Sequence, residues 1–299
     1  MTKFLQLLTS GIALGSIYAL IALGFVVVYK ATRTFNFAQG GFVLLGTYLT
    51  YQFGVAWSWP FYLAMAIAVV CMAGIAAMLE RLVLRRMIGQ PPFSVILVTL
   101  GILLVIEQTV RVIWTQPSYV LANPWGTRTI DVGGVTIQHV DLWAVGFAAI
   151  LLGLFFVFFR FTRLGLGMRA SALDQETAAA QGISVARSFQ VSWVIAGAVG
   201  VVAGVMLTAR GGAGLSAALS FVALRAFPAM ILGGLDSPGG AVAGGALVGI
   251  AEVMTSGYLN AQADLVGDNF SVVVPYLLLI VVLLWRPHGL FGTKAVDRV

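Results

Sequence analysis

LQLLTSGIALGSIYALIALGFVVVY, residues Leu5–Tyr29, contains no charged residue and is long enough to cross the hydrocarbon core of a bilayer as one helix. Gly11, Gly15 and Ala19 recur at four-residue spacing, so one face of that helix is small enough for another backbone to come close. The stretch is too long for the apolar part of a signal peptide and no small-residue cleavage site follows it, so it reads as a first membrane helix.

Working outward, similar runs recur to the end of the chain. They cover the stretch ending near Phe53, then Phe61–Leu84, Phe93–Trp114, Leu142–Phe159, Phe189–Thr208, Leu215–Leu235, the Gly-rich run after Leu235, and a last segment ending at Trp285. With 60% hydrophobic residues, 9% charged residues and a mean hydropathy of +0.99, a soluble domain is excluded. The expected fold is an all-α polytopic membrane bundle of about eight or nine segments, with one or two broken or re-entrant. Residues 1–299 form a single transmembrane domain, since too little polar sequence remains for a second.

Two segments carry unusual starts. FNFAQGGFVLLGTYLTYQF (Phe35–Phe53) opens on Asn36, Gln39 and a double glycine, as in a short or broken helix whose N-terminus faces a cavity. Leu215–Leu235 holds Arg225 and Pro228 inside apolar sequence and reads as bent or re-entrant. Outside the apolar runs, residues 115–141 form an external loop. Alternating β-branched residues flank Gly133 and Gly134 there and predict a β-hairpin.

The other long polar stretch is RLGLGMRASALDQETAAAQGISVAR, residues 163–187. Ser171 followed by Asp174 has capping-box-like spacing, Ala172 and Ala178 to Ala180 favour helix, and Gly182 is placed to end it. A short helix tethered by membrane segments on both sides is suited to docking, and it reads as the handle for a cytoplasmic partner. Placing this loop inside and alternating the crossings puts twelve of the 17 basic residues inside, including Lys294 and Arg298 near the C-terminus. That bias sets the N-terminus outside and the C-terminus in the cytoplasm. It also accounts for the net charge of +6 without nucleic acid, because the basic residues mark helix ends.

No G-x-x-x-x-G-K-[ST] sequence is present, so any nucleotide work belongs to a partner. Cys71 stands alone in an apolar run, and no Ser/His, paired-Asp or metal-ligand constellation points to an enzyme or a metal site. Ionisable residues within membrane segments are expensive and read as functional. Glu107 has Arg111 four residues on and reads as half of an ion pair near the outer surface. Glu252 has no cation at that spacing; it lines a pathway and attracts an ammonium group, or accepts hydrogen bonds from a neighbouring helix. Arg225 is the candidate partner for a carboxylate, of substrate or of a glutamate. Asn36 and Gln39 line a pathway or cap a helix. Phe155, Phe156, Phe158 and Phe159 read as facing lipid or a partner.

Four motifs, FNFAQGGFVLLGTYLTY, GLGMRASALDQETAAAQGI, AMILGGLDSPGGAVAGGALVG and the terminal RPHGLFG, appear in that order. Together they resemble the LivH-type branched-chain amino acid permeases of bacterial ABC importers, nearly end to end. The resemblance implies an inner-membrane permease paired with a second, LivM-type permease. It also implies two cytoplasmic ATPase subunits that bind the ATP and Mg, and an external solute-binding protein that supplies the ligand. By position, Arg169, Ala170, Asp174, Glu176, Ala178 and Gly182 correspond to the coupling helix that fits a groove in the ATPase. Gln39 departs from the N-F-A-x-G motif, where His is more usual. Relatives that carry urea, short amides or aromatic acids share these motifs, so the cargo stays open. An ion-coupled secondary transporter and a channel-like protein are the rivals of another class; the former needs a midplane carboxylate, for which Glu252 is the candidate.

Overall fold

A computed structural model describes residues 2–211, 214–259 and 270–292. The polar loop Asn260–Asn269, with Asp264 and Asp268, and the inward-counted Lys294 and Arg298 lie outside the described residues.

The first apolar stretch forms α1 (Thr2–Thr32), which is apolar around its whole circumference. A helix of that kind belongs inside a bundle. In its most apolar window 89% of residues are buried, against 28–33% for the corresponding windows of α3 (Phe61–Leu82), α4 (Pro92–Ile113) and α5 (His139–Phe161). The chain therefore builds around its first helix. Phe35–Phe53 forms the short α2 (Ala38–Tyr51), continued by a π-turn over Gln52–Ala56. Pro92 in its first turn starts α4, where a missing N–H costs nothing.

Hairpin strands β1 (Thr129–Val132) and β2 (Val135–Gln138) pair antiparallel, and Gly133 and Gly134 both take positive φ. That is the type I′ turn expected from the double glycine. After α5 come α6 (Arg163–Leu173), α7 (Gln175–Ala180) and α8 (Val185–Gly211). The segment containing Arg225 and Pro228 is broken as expected, into α9 (Leu219–Leu224) and α10 (Ala226–Gly233) with Arg225 at the junction. The chain ends with α11 (Pro238–Leu259) and α12 (Val274–Trp285).

Six helices are long and apolar enough to cross a membrane. The shorter α2, the broken α9–α10 pair and α12 bring the apolar segments among the described residues to nine. At one end of the bundle Lys30 donates to the carbonyl of Asp236 and sits over the Phe159 ring, and Arg33 reaches Ala172. At the other end Arg210 meets Asp141 at 2.7 Å and donates to the carbonyl of Ser10. The hairpin follows directly into that second end, where Asp141 sits in the first turn of α5.

The most extensive helix pairing joins α1 to α11. A Cβ placed on Gly15 would meet the Cα of Ala246 at 2.7 Å, and one on Gly11 the Cα of Ile250 at 2.8 Å. Both helices run at backbone contact, as the four-residue spacing of Gly11 and Gly15 implies. The last seven described residues fold back onto α10, with Leu290 and Phe291 donating their N–H groups to the carbonyls of Leu232 and Gly233. Those carbonyls lie in the last turn of α10, where no intrahelical donor reaches them.

Two expectations are corrected. The handle is two helices, and its capping box is absent: Ser171 lies buried inside α6, near Ser188, and caps nothing. Thr162 caps α6 instead, accepting from the Gly165 N–H. Nor does the Phe run point uniformly outward. Phe155 and Phe159 are buried and stacked 5.4 Å apart, whereas Phe156 is exposed.

Candidate functional site

Two groups of residues stand out, one at the basic end and one inside the bundle. At the basic end, α6 and α7 meet at Asp174, whose backbone is extended (φ −156, ψ 114). Its carboxylate accepts from the N–H groups of Glu176 and Thr177 at 2.9 and 3.0 Å and from the Thr177 hydroxyl at 2.9 Å. One aspartate thus ends α6 and caps α7, with its charge at the favourable end of the helix dipole. At the far end of α7, Gly182 takes φ +79 and the Ile183 N–H returns to the carbonyl of Ala178. This is a Schellman turn.

The rod is bound to the bundle on its inner side. Arg169 donates to the carbonyls of Phe159 and Arg160 at 3.0 and 3.3 Å, satisfying the C-terminal end of α5. Arg33, at the end of α1 with φ +56, donates through Nε and Nη2 to the Ala172 carbonyl at 3.2 and 2.8 Å. Ala178 is buried against the bundle and Ala170 half-buried, while Asp174, Glu176 and Gly182 are exposed. Leu173, beside the corner, is 86% exposed. The rod therefore has an anchored inner side and an outer corner made of Leu173, Asp174 and Glu176.

Inside the bundle, Glu252 on α11 is buried and accepts from the Tyr18 hydroxyl at 2.8 Å. Its other oxygen lies 3.4 Å from Nη1 of Arg225. Arg225 sits at the one-residue junction between α9 and α10, where its backbone keeps helical dihedrals (φ −63, ψ −18). The structure thus brings Arg225 and Glu252 together across two elements and adds Tyr18, which sequence reading missed. A tyrosine in an all-apolar run gives no sign of its partner. Glu107 and Arg111 form the intrahelical pair expected, at 2.7 Å.

Asn36 and Gln39 sit apart from that cluster. Gln39 is fully buried between α1 and α8, filling the space over Gly24 and donating to the Ala196 carbonyl at 3.2 Å. Neither amide caps α2, whose N-cap is Phe37 without a side-chain bond. Both polar atoms of Asn36 are buried without a protein partner. An unpaired buried polar group costs about 1–3 kcal/mol. Replacing Asn36 with leucine is expected to raise the melting temperature by about 2–4 °C while lowering uptake. Unchanged uptake in a thermally shifted variant would show the amide to be idle.

Sequence reading also counted Arg33 and Arg210 only as orientation markers. Their partners, a rod carbonyl for Arg33 and Asp141 for Arg210, come from elements more than sixty residues away in sequence. No local spacing announces them.

A family model described as Branched-chain amino acid transport system / permease component matches residues 7–283. The chain belongs to this family. It is 31% identical over 99% of its length to the high-affinity branched-chain amino acid transport system permease protein LivH of Salmonella typhimurium, covering 98% of that protein. It is 30% identical, again over 99% of its length and 98% of the relative, to the permease protein BraD of Pseudomonas aeruginosa. A probable LivH of Methanocaldococcus jannaschii is 28% identical over 96% of this chain and 92% of its own. The LivH-type resemblance of the four motifs is thereby borne out, and this permease is a multi-pass inner-membrane transport subunit rather than an enzyme.

Proposed function

We propose that this permease forms the translocation pathway of an ATP-driven importer for branched-chain or related aliphatic amino acids. The observation that carries the coupling is the rod: two short helices pinned inward by Arg33 and Arg169, presenting Leu173, Asp174 and Glu176 outward. A rigid peg fixed to the ends of α1 and α5 transmits a push to the core of the bundle, as a rigid-body exchange of states requires. Cytoplasmic ATPases would grip that corner and would hold the ATP and Mg. The basic end, with Lys30, Arg33 and the arginines of α6, then faces the cytoplasm, the N-terminus lies outside and the C-terminus inside.

A companion permease fits the outer face of α4. That helix packs inward through α2, while Gly101, Leu104, Val105 and Gln108 are exposed on its other side. An amide facing hydrocarbon is costly, and a glycine with nothing within 4 Å of its missing Cβ leaves room for a second backbone. The names that the relatives carry support this choice of cargo. A solute-binding protein at the hairpin end would supply affinity, so the pathway itself need not hold ligand tightly.

The rival, an ion-coupled transporter, needs a carboxylate free to load a cation; Glu252 is already held by Tyr18 and Arg225. Reconstitution decides between them. Leucine uptake into vesicles should require the ATPases and ATP and should survive dissipation of the membrane potential. Uptake by the purified chain alone, driven by an ion gradient, would overturn the reading.

A further inference from the structure

At the basic end a cavity of about 220 Å³ opens between the end of α1, the turn after α3, the start of α4 and the beginnings of α7 and α8. It is smaller than the roughly 300–1,000 Å³ of sites for drug-sized ligands, so it has room for one small solute and none for a phospholipid. Its lining is chemically divided. Arg33 and Glu80 supply opposite charges, Gln175 supplies an amide from the first residue of α7, and Leu84, Val95 and Trp193 supply an apolar wall.

Neither charge is exhausted by its protein partners. Arg33 spends Nε and Nη2 on the Ala172 carbonyl, and a guanidinium has five N–H donors. Glu80 is 1% exposed and receives one bond on each oxygen from Arg85, at 3.2 and 2.9 Å, whereas a carboxylate accepts about four. The left-handed backbone of Arg33 adds a local strain that packing elsewhere must hold, a feature common at ligand clamps and switches.

We propose that this cavity is a product-side site for one aliphatic α-amino acid. The carboxylate meets the spare donors of Arg33, the ammonium meets Glu80, and the side chain lies against Leu84, Val95 and Trp193. The site is separate from the Tyr18–Glu252–Arg225 cluster and rests on the reading above for the choice of ligand and for which end is the product side. Its consequence is mechanical. An occupant touching Gln175 and the α3–α4 turn ties the rod to the bundle, so accumulated product opposes the motion that drives further import.

The test uses the assembled transporter with its companion permease and ATPases. Tritiated leucine binding is measured in detergent without solute-binding protein, and uptake is measured into vesicles with or without trapped leucine. Met87→Trp, and independently Ile88→Trp, both at other lining positions, fill the cavity without replacing either charged residue. Wild type should bind leucine and slow several-fold when leucine is trapped inside. Each filled variant should weaken binding at least about tenfold by steric exclusion and lose the slowing, while import into empty vesicles stays near wild type. Leucine binding that is absent, or unchanged in both filled variants, overturns the site. So does displacement of the label by phosphoethanolamine as effective as by leucine. Import of leucine without variant-sensitive binding defeats this inference and leaves the importer intact. Variant-sensitive binding without leucine import supports this inference while defeating the importer reading.

Discussion

Gly249→Leu is expected to abolish the folded permease. A Cβ at this position would collide with the backbone N and Cα of Gly15, and it would come within 2.8 Å of the Gly11 carbonyl oxygen. These are backbone atoms of the most buried helix, so no rotamer change relieves them. Inserting a side chain into a filled core already costs typically about 1–3 kcal/mol, and here whole helices must separate. The damage spreads because Glu252 lies three residues further along α11 and depends on the same spacing to reach Tyr18. Fluorescence-detected size-exclusion chromatography should show loss of the monodisperse peak. Gly74→Leu is the matched control: Gly74 is exposed on α3 with nothing within 4 Å of its missing Cβ, and its peak should remain. Equal behaviour of the two variants would mean that α1 and α11 do not meet as described.

The second large effect is functional. Leu173→Glu combined with Glu176→Arg should eliminate co-purification of the ATPases and reduce uptake to background, with normal yield and melting of the permease itself. Leu173 is 86% exposed and Glu176 is also exposed, so neither change disturbs the bundle. Exposed apolar residues at a polar end mark contact surfaces, and truncating such an anchor often costs more than 1 kcal/mol of binding, about 2 or more at the centre of an interface. Asp174 is left in place deliberately. Its removal would uncap α7 at a cost of about 1 kcal/mol and confuse docking with folding. Retained ATPase binding in the double variant would defeat the coupling role of this corner.

How much of this was legible beforehand depends on the range of the interaction. Length and hydropathy gave the helices, the double glycine gave the hairpin turn, and Pro228 with Arg225 gave the broken segment. Each of those signals acts within a few residues. The Gly11–Gly15 spacing marked a close-packing face but not that α11 would fill it. Glu252 stood out because it lacked a local cation, and Arg225 as a partner for a carboxylate of substrate or of a glutamate, while Tyr18 was invisible among apolar neighbours. The rod shows where local reading fails. Ser171 and Asp174 have the spacing of a cap, yet α8 buries Ser171 and leaves Asp174 to cap the shorter helix after it. Asn36 and Gln39 announced themselves as polar residues at a helix start, but burial has separated them from any cap or described cavity.

That α1 is made long before α11, the helix it packs against most extensively, bears on biogenesis. When it leaves the ribosome its glycine face has no companion, for α11 follows much later in the chain. Tyr18 likewise waits for Glu252, and the last turn of α10 waits for Leu290 and Phe291. Insertion can proceed helix by helix, but closure cannot. The nascent chain must be held open in the membrane until α11 has been made, and a product terminated before it would leave α1 without that partner.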